Sequence, residues 1–242
     1  MPTTACRSSR CCRERPRHGE HQAELSESAS YGGFFAITVG GDPDGWIPVR
    51  RCYDDGCADL VRVTAERYGT TDLRISASLV QFSHASRLWS PILATALGHG
   101  VLPDLGGLQR ARTGTDLRLP APRGRAVAGD RPLPEQLYRV VVEDHLEPLA
   151  AGLRVKMAPG LLYGNAAAAL VAAADQLARA RPELRAAAVA VVESLLATGK
   201  LARSGDLTGL SFRRRSCCLF YRTPGGSYCG DCALAGRKAT RQ

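Results

Sequence analysis

The chain has 242 residues, enough for one large domain or two small ones with a sizeable core, and its composition is that of an ordinary globular protein. It carries 32 Lys and Arg against 23 Asp and Glu, a formal net charge of +9 that favours anionic partners. Much of that excess sits in the first seventeen and last thirty residues, so a nucleic-acid-binding stripe is not expected.

Residues 1–30 hold Cys6, Cys11 and Cys12, five arginines and two histidines, with almost no large apolar side chain. A stretch like this cannot form a core and reads as a disordered tail. It has no apolar run of secretory-signal type, so a cytoplasmic protein is expected, without a transmembrane segment and with peripheral membrane association left open. Tyr31 to Val39 is an apolar, strand-like or buried run that opens the folded body, and Gly40 to Gly45 punctuates it as a turn. Cys52 and Cys57 follow in a polar loop ahead of a helix at 58–68 and are expected as reduced thiols.

From Leu73 to Leu97 the pattern is helical, with Leu79, Phe82, Ser86 and Trp89 along one face and Ser90-Pro91 starting a second helix. His84 and His99 read as core or boundary residues. Residues 105–129, rich in Gly, Pro and Arg, suggest a flexible or substrate-facing loop with a short strand at Leu117 to Leu119. Pro134 suits the first turn of a helix whose apolar face is Tyr138, Val142, Leu146, Leu149 and Leu153. On it, Glu143, Asp144, His145 and Glu147 imitate a carboxylate–histidine metal site but read better as a solvated face. Leu161 to Arg179 is an Ala-rich helix that must pack close to a neighbour, and Pro182 starts another in which Leu184, Ala188, Val191 and Leu195 repeat. The fold class is therefore mainly α with minor β elements (α+β): a helical body over 31–204 and a C-terminal segment over 205–242.

That segment carries the chemistry. Cys217 and Cys218 are adjacent, and Cys229 and Cys232 form a Cys-x-x-Cys pair ten residues on. Thr223-Pro224-Gly225-Gly226 between them has the residues of a type II turn, which folds the pairs toward each other in a short hairpin sheltered by Leu219, Phe220, Tyr221 and Tyr228. Four converging thiolates repel one another unless a cation neutralises them, so a four-cysteine metal centre is the economical reading. Iron–sulfur clusters and structural zinc both fit; the vicinal first pair favours the cluster, and a zinc knuckle contacting nucleic acid or a protein is the alternative.

This C-C-x10-C-x2-C pattern, with Tyr221-Arg222 inside it and Gly-Asp between the last two cysteines, resembles the FhuF-type ferric-siderophore reductase family. A weaker similarity lies in Leu162-Tyr163-Gly164-Asn165-Ala166. The resemblance implies a [2Fe–2S] cluster held by Cys217, Cys218, Cys229 and Cys232, and one-electron reduction of Fe(III) in a siderophore. No Gly-rich phosphate loop or dinucleotide fingerprint is visible, so electrons are expected from a separate donor such as a ferredoxin or a flavin reductase. Of Arg213, Arg214 and Arg215, at least two are expected to point outward toward an anionic partner.

Overall fold

The computed structural model describes residues 19–127 and 131–235. Its axis is helix α4, Leu73–His99 in a chain that also holds, in order, β1 Gly19–Glu20, α1 Gln22–Ser28, β2 Thr38–Val39, β3 Trp46–Pro48, α2 Val49–Asp54, α3 Ala58–Arg67, then β4 Val101–Pro103, β5 Gln109–Ala111, β6 Leu117–Leu119 and β7 Arg123–Ala126. The second half adds α5 Leu133–Leu137, a π-helical run Tyr138–Leu146, α6 Glu147–Gly152, α7 Pro159–Ala180, α8 Arg185–Leu196, β8 Gly205–Thr208 and β9 Ser211–Arg214. The class is the expected α+β mixture.

Asp72 caps α4 by accepting the Arg74 N–H at 3.1 Å, and Gly100 ends it in the left-handed region at φ 65°. Between these caps the helix is continuous, so Pro91 does not start a second one. A mid-helix proline costs about 3 kcal/mol. Trp89, Ile92 and Leu93 around it are all fully buried, each contributing about 1.5–3 kcal/mol, so packing outweighs the lost bond. Nor is α4 apolar on one face only. Ile75, Ala77, Val80, Ala85 and Leu88 are buried as well, while Leu79 and Phe82 are half-buried.

Helix α7 packs along α4, and its run Ala166 to Ala169 is buried there, as a helix of small side chains must be to bring two backbones close. By length and composition α7 could cross a membrane, yet 72% of its most apolar window is buried in the fold, as in a core helix. Ala188, Val191 and Leu195 of α8 close the core from beyond α7, on the face the periodicity predicts.

The folded body begins earlier than residue 31. Residues 19–31 carry β1, α1 and a 3-10 turn, and Leu25 is 1% exposed in the core; Cys6, Cys11 and Cys12 lie outside the described residues. The expected loop over 105–129 is also largely a sheet. β4 and β7 pair antiparallel with β1 beyond β7, while β5 and β6 join β3 and β2 in the order β2-β6-β5-β3, where only β2 and β6 run parallel. Its arginines made the stretch read as a loop, but Arg110 and Arg118 are buried: Arg110 pairs with Asp59 at 2.7 Å, and Arg118 donates to the carbonyls of Gly40 and Gly41. The run 31–39 yields only the two-residue strand β2 and a fully buried Phe35.

Cys52 and Cys57 are joined in a disulfide rather than left as thiols. Gly56 and Cys57 both adopt positive φ, and the Cys57 N–H reaches the Cys52 carbonyl at 2.6 Å, which doubles the loop back until the two Cα atoms are 4.6 Å apart. Gly152 lies against this turn. A Cβ there would stand 1.6 Å from the Tyr53 carbonyl oxygen, a backbone atom that cannot rotate away.

Tyr53 places its hydroxyl between two imidazoles, 2.6 Å from His84 Nε2 and 2.8 Å from His145 Nδ1. So His145 leaves the acidic face on which the sequence put it, because the wider π-helical turn carries it inward. Burial holds His84 down to about 3 and His145 to about 4, below the ordinary 6.5, so both are neutral in the fold. The unfolded chain binds protons at these sites below pH 6.5 and the folded chain does not, so stability is complete above that pH and is lost as pH falls toward the folded values.

Two outcomes follow. Gly152→Ala should lower unfolding free energy by at least about 2 kcal/mol in urea titrations, while Gly33→Ala, which meets nothing within 4 Å, should leave it nearly unchanged; equal effects would show that the approach of α6 to α2 can relax. Between pH 6.5 and 5 the unfolding free energy should fall by up to about 1.4 kcal/mol per pH unit for each histidine, and His84→Gln should roughly halve the slope. A slope unchanged by that replacement would contradict the neutral pair.

Candidate metal centre

Strands β8 and β9 form an antiparallel hairpin with Leu207 opposite Phe212. The two-residue period of β9 sends Phe212 and Arg214 inward and leaves Arg213 and Arg215 exposed, so two of the three arginines do point outward. Arg214 is 3% exposed. Its guanidinium donates to Asp231 Oδ2 at 2.8 and 2.5 Å and to Asn165 Oδ1 at 2.7 Å, and it lies over the Phe82 ring at 5.7 Å. Its backbone N–H reaches the Asp231 carbonyl at 3.0 Å.

The network continues into the helices. Asn165 Nδ2 donates to both the carbonyl and the hydroxyl of Ser78 at 3.0 Å, and Ser78 Oγ donates to the Cys218 carbonyl at 2.8 Å. Ser78 and Asn165 are both fully buried. One chain of hydrogen bonds therefore runs from Asp231, inside the Cys-x-x-Cys pair, through α7 and α4 to the vicinal pair. Gly164 lets the loop lie close to α7, since a Cβ there would meet Ser216 Oγ at 2.1 Å. On the other side Phe220 packs edge-on against Tyr68 at 5.8 Å, and Arg222 approaches Asp72 at 3.6 Å.

All four cysteines of this segment are free thiols; Cys218 and Cys232 are buried, Cys217 and Cys229 half-buried. Cys218 Sγ and Cys229 Sγ are 3.5 Å apart. Cys217 Sγ accepts the Leu219 N–H and Cys232 Sγ the Leu234 N–H, each at 3.3 Å. Burial, opposed by the Leu219 N–H and reinforced by the charges of Cys218 and Cys232, pushes the Cys217 thiol up. Burial and then the Cys218 charge push Cys229 up strongly. These sulfurs resist ionising together unless a cation compensates them, as a thiolate-ligated metal does. Among the described residues no three His, Cys, Asp or Glu side chains gather tightly enough to hold a single ion. Four free thiols in one loop, two of them in contact and two receiving backbone N–H groups, fit a two-iron cluster.

The expected turn is present: the Gly226 N–H reaches the Thr223 carbonyl at 2.8 Å, and Gly225 has φ 72°. The expected hairpin around it is not. Residues 217–232 hold only a 3-10 turn at Phe220–Arg222, and Tyr221 and Tyr228 are 40% and 58% exposed, so they shelter nothing. Phe82 instead packs under Arg214, and Tyr68 against Phe220. Of the residues that imitated a second metal site, Glu147 binds Lys200 at 2.8 Å and His145 binds Tyr53. Which of the three arginines turns inward is what sequence reasoning left open; the signal was a charge in step with the inward Phe212.

No curated protein and no solved structure matches the chain. Residues 214–234 match the family model of the FhuF 2Fe-2S C-terminal domain, an interval that opens on Arg214 and contains all four cysteines. Over that interval the chain is similar to this domain, in agreement with the FhuF-type resemblance, and the cofactor it indicates is a [2Fe–2S] cluster.

Proposed function

We propose that this protein is a ferric-siderophore reductase in which Cys217, Cys218, Cys229 and Cys232 hold the [2Fe–2S] cluster. The observation that carries the reading is the meeting of those four free thiols in one loop, over the interval that matches an iron–sulfur domain. When bound, the cluster supplies one electron at a time, which is what Fe(III) needs to become Fe(II). A separate donor, such as a ferredoxin or a flavin reductase, returns that electron. Hard oxygen ligands hold Fe(II) far less tightly than Fe(III), so reduction releases the metal, and we place this step in the cytoplasm.

The chain's own residues position the centre. Arg214 and Asn165 fix the distance between the two cysteine pairs, and the buried Cys218 and Cys232 keep one side of the sulfur set dry. Half-buried Cys217 and Cys229 bring the other side to the surface, where an acceptor can approach. The N–H groups of Leu219 and Leu234 stabilise negative charge on two of the sulfurs.

Protein purified and reduced without oxygen, then mixed with a ferric siderophore, should yield one trapped Fe(II) per cluster while its visible spectrum returns to the oxidised form. A spectrum that stays reduced beside excess chelate would rule out the reductase. Replacing any one of Cys217, Cys218, Cys229 or Cys232 by Ser should bleach or destabilise the visible absorption, and Cys52→Ser should retain it. Iron lost from Cys52→Ser and kept by Cys217→Ser would reverse the ligand assignment.

A further inference from the structure

An open cavity of about 620 Å³ lies beside the cysteine loop, with Ser216, the residue directly before Cys217, in its wall. Its size is that of a site for a compact organic ligand, typically about 300–1,000 Å³. The wall is rich in positive charge. Lys200, Arg203 and Arg215 all line it; Lys200 pairs with Glu147 and Arg215 with Asp206, while Arg203 has no carboxylate within reach among the described residues. Three cations against two carboxylates leave an excess positive charge.

Two further features point the same way. Pro159 and Gly160, the first residues of the 22-residue helix α7, open onto the cavity and add the partial positive charge of a helix N-terminus. Ser204 and Ser216 also line it, and neither hydroxyl has a hydrogen-bond partner among the described residues, although Ser204 is only 9% exposed. Buried hydroxyls without partners are costly, and a small rotation of either side chain would offer its O–H to an oxygen-rich ligand in the cavity.

We infer that this cavity seats the ferric chelate and selects chelates of net negative charge. The inference rests on the reductase reading and adds the class of substrate. A [2Fe–2S] core with four thiolates carries about −2 when oxidised and about −3 when reduced, so it repels an anionic chelate brought to its edge. Lys200, Arg203 and Arg215 offset that repulsion where the chelate must sit. With the cluster bound, the electron it would supply would reduce Fe(III) in the seated chelate to Fe(II), and no bond to the protein would form or break.

Gallium(III) chelates, which keep the shape and charge of the ferric forms but take up no electron, separate binding from reduction. Calorimetric titration of the cluster-loaded protein at low salt should show a tris-catecholate gallium trianion binding at least about tenfold more tightly than a neutral tris-hydroxamate chelate, with the advantage shrinking as salt rises. Arg203 has φ 65°, so Arg203→Asn removes the charge with a residue that accepts this backbone. That variant, and Lys200→Gln, should each weaken the trianion about fivefold and leave the neutral chelate unchanged. Arg179→Ala, at the far end of α7, should alter neither. Equal affinities for the two chelates, or trianion binding untouched by both cavity variants, would overturn the inference. So would flavin mononucleotide binding that Arg203→Asn abolishes in a protein that takes no gallium chelate, since the cavity would then belong to the electron donor. Gallium binding as expected in a protein that reduces neither ferric chelate would overturn the reductase reading and leave the anion site standing.

Discussion

A guanidinium taken out of water must be answered by acceptors on every side, and the way Arg214 is answered organises the cysteine loop. Asp231 takes two of its N–H groups from within the Cys-x-x-Cys pair and Asn165 takes a third from α7. Asn165 is itself held by Ser78 on α4, whose hydroxyl returns to the Cys218 carbonyl. The circuit is closed. Removing one member strands a buried charge or a buried amide, at a cost of about 3–5 kcal/mol for a broken buried ion pair. The spacing of the two cysteine pairs is thus fixed by the helical core and not by the loop alone, which is short of regular structure.

The same helix that supplies Asn165 opens with Pro159 and Gly160 at the cation-lined cavity. Gly164, between these points, is where Ser216 rests. One element therefore anchors the sulfurs, receives the chain just before Cys217 and shapes the wall on which a chelate would sit. Its alanines matter for the same reason, because close packing on α4 leaves α7 little freedom to shift.

Much of this was legible from the residues. Four cysteines at that spacing pointed to a metal centre, Thr223 to Gly226 to the turn, alanine richness to α7 and apolar periodicity to α8. What escaped has physical reasons. At least two of the three successive arginines were expected to point outward, and only the strand period of β9 shows that the middle one is the one buried. Pro91 read as a break because local preference cannot see the burial of Trp89, Ile92 and Leu93 that overrides it. Apart from β6, expected at Leu117 to Leu119, the three- and four-residue strands β4 to β7 are too short for alternation to register, and Arg110 and Arg118 find partners distant in sequence. The Cys52–Cys57 bond depends on two consecutive left-handed residues that spacing does not reveal.

The central claim is that Asp231, Arg214, Asn165 and Ser78 act as one unit to hold the sulfurs. A double-mutant cycle with Arg214→Met and Asn165→Ala, read as the rate at which visible cluster absorption decays in the presence of an iron chelator, tests it most directly. The account predicts that each single variant speeds decay by about tenfold or more, and that the double variant is scarcely worse than Arg214→Met alone. Decay rates that multiply independently, or an Arg214→Met protein that keeps its absorption as long as the parent, would contradict it.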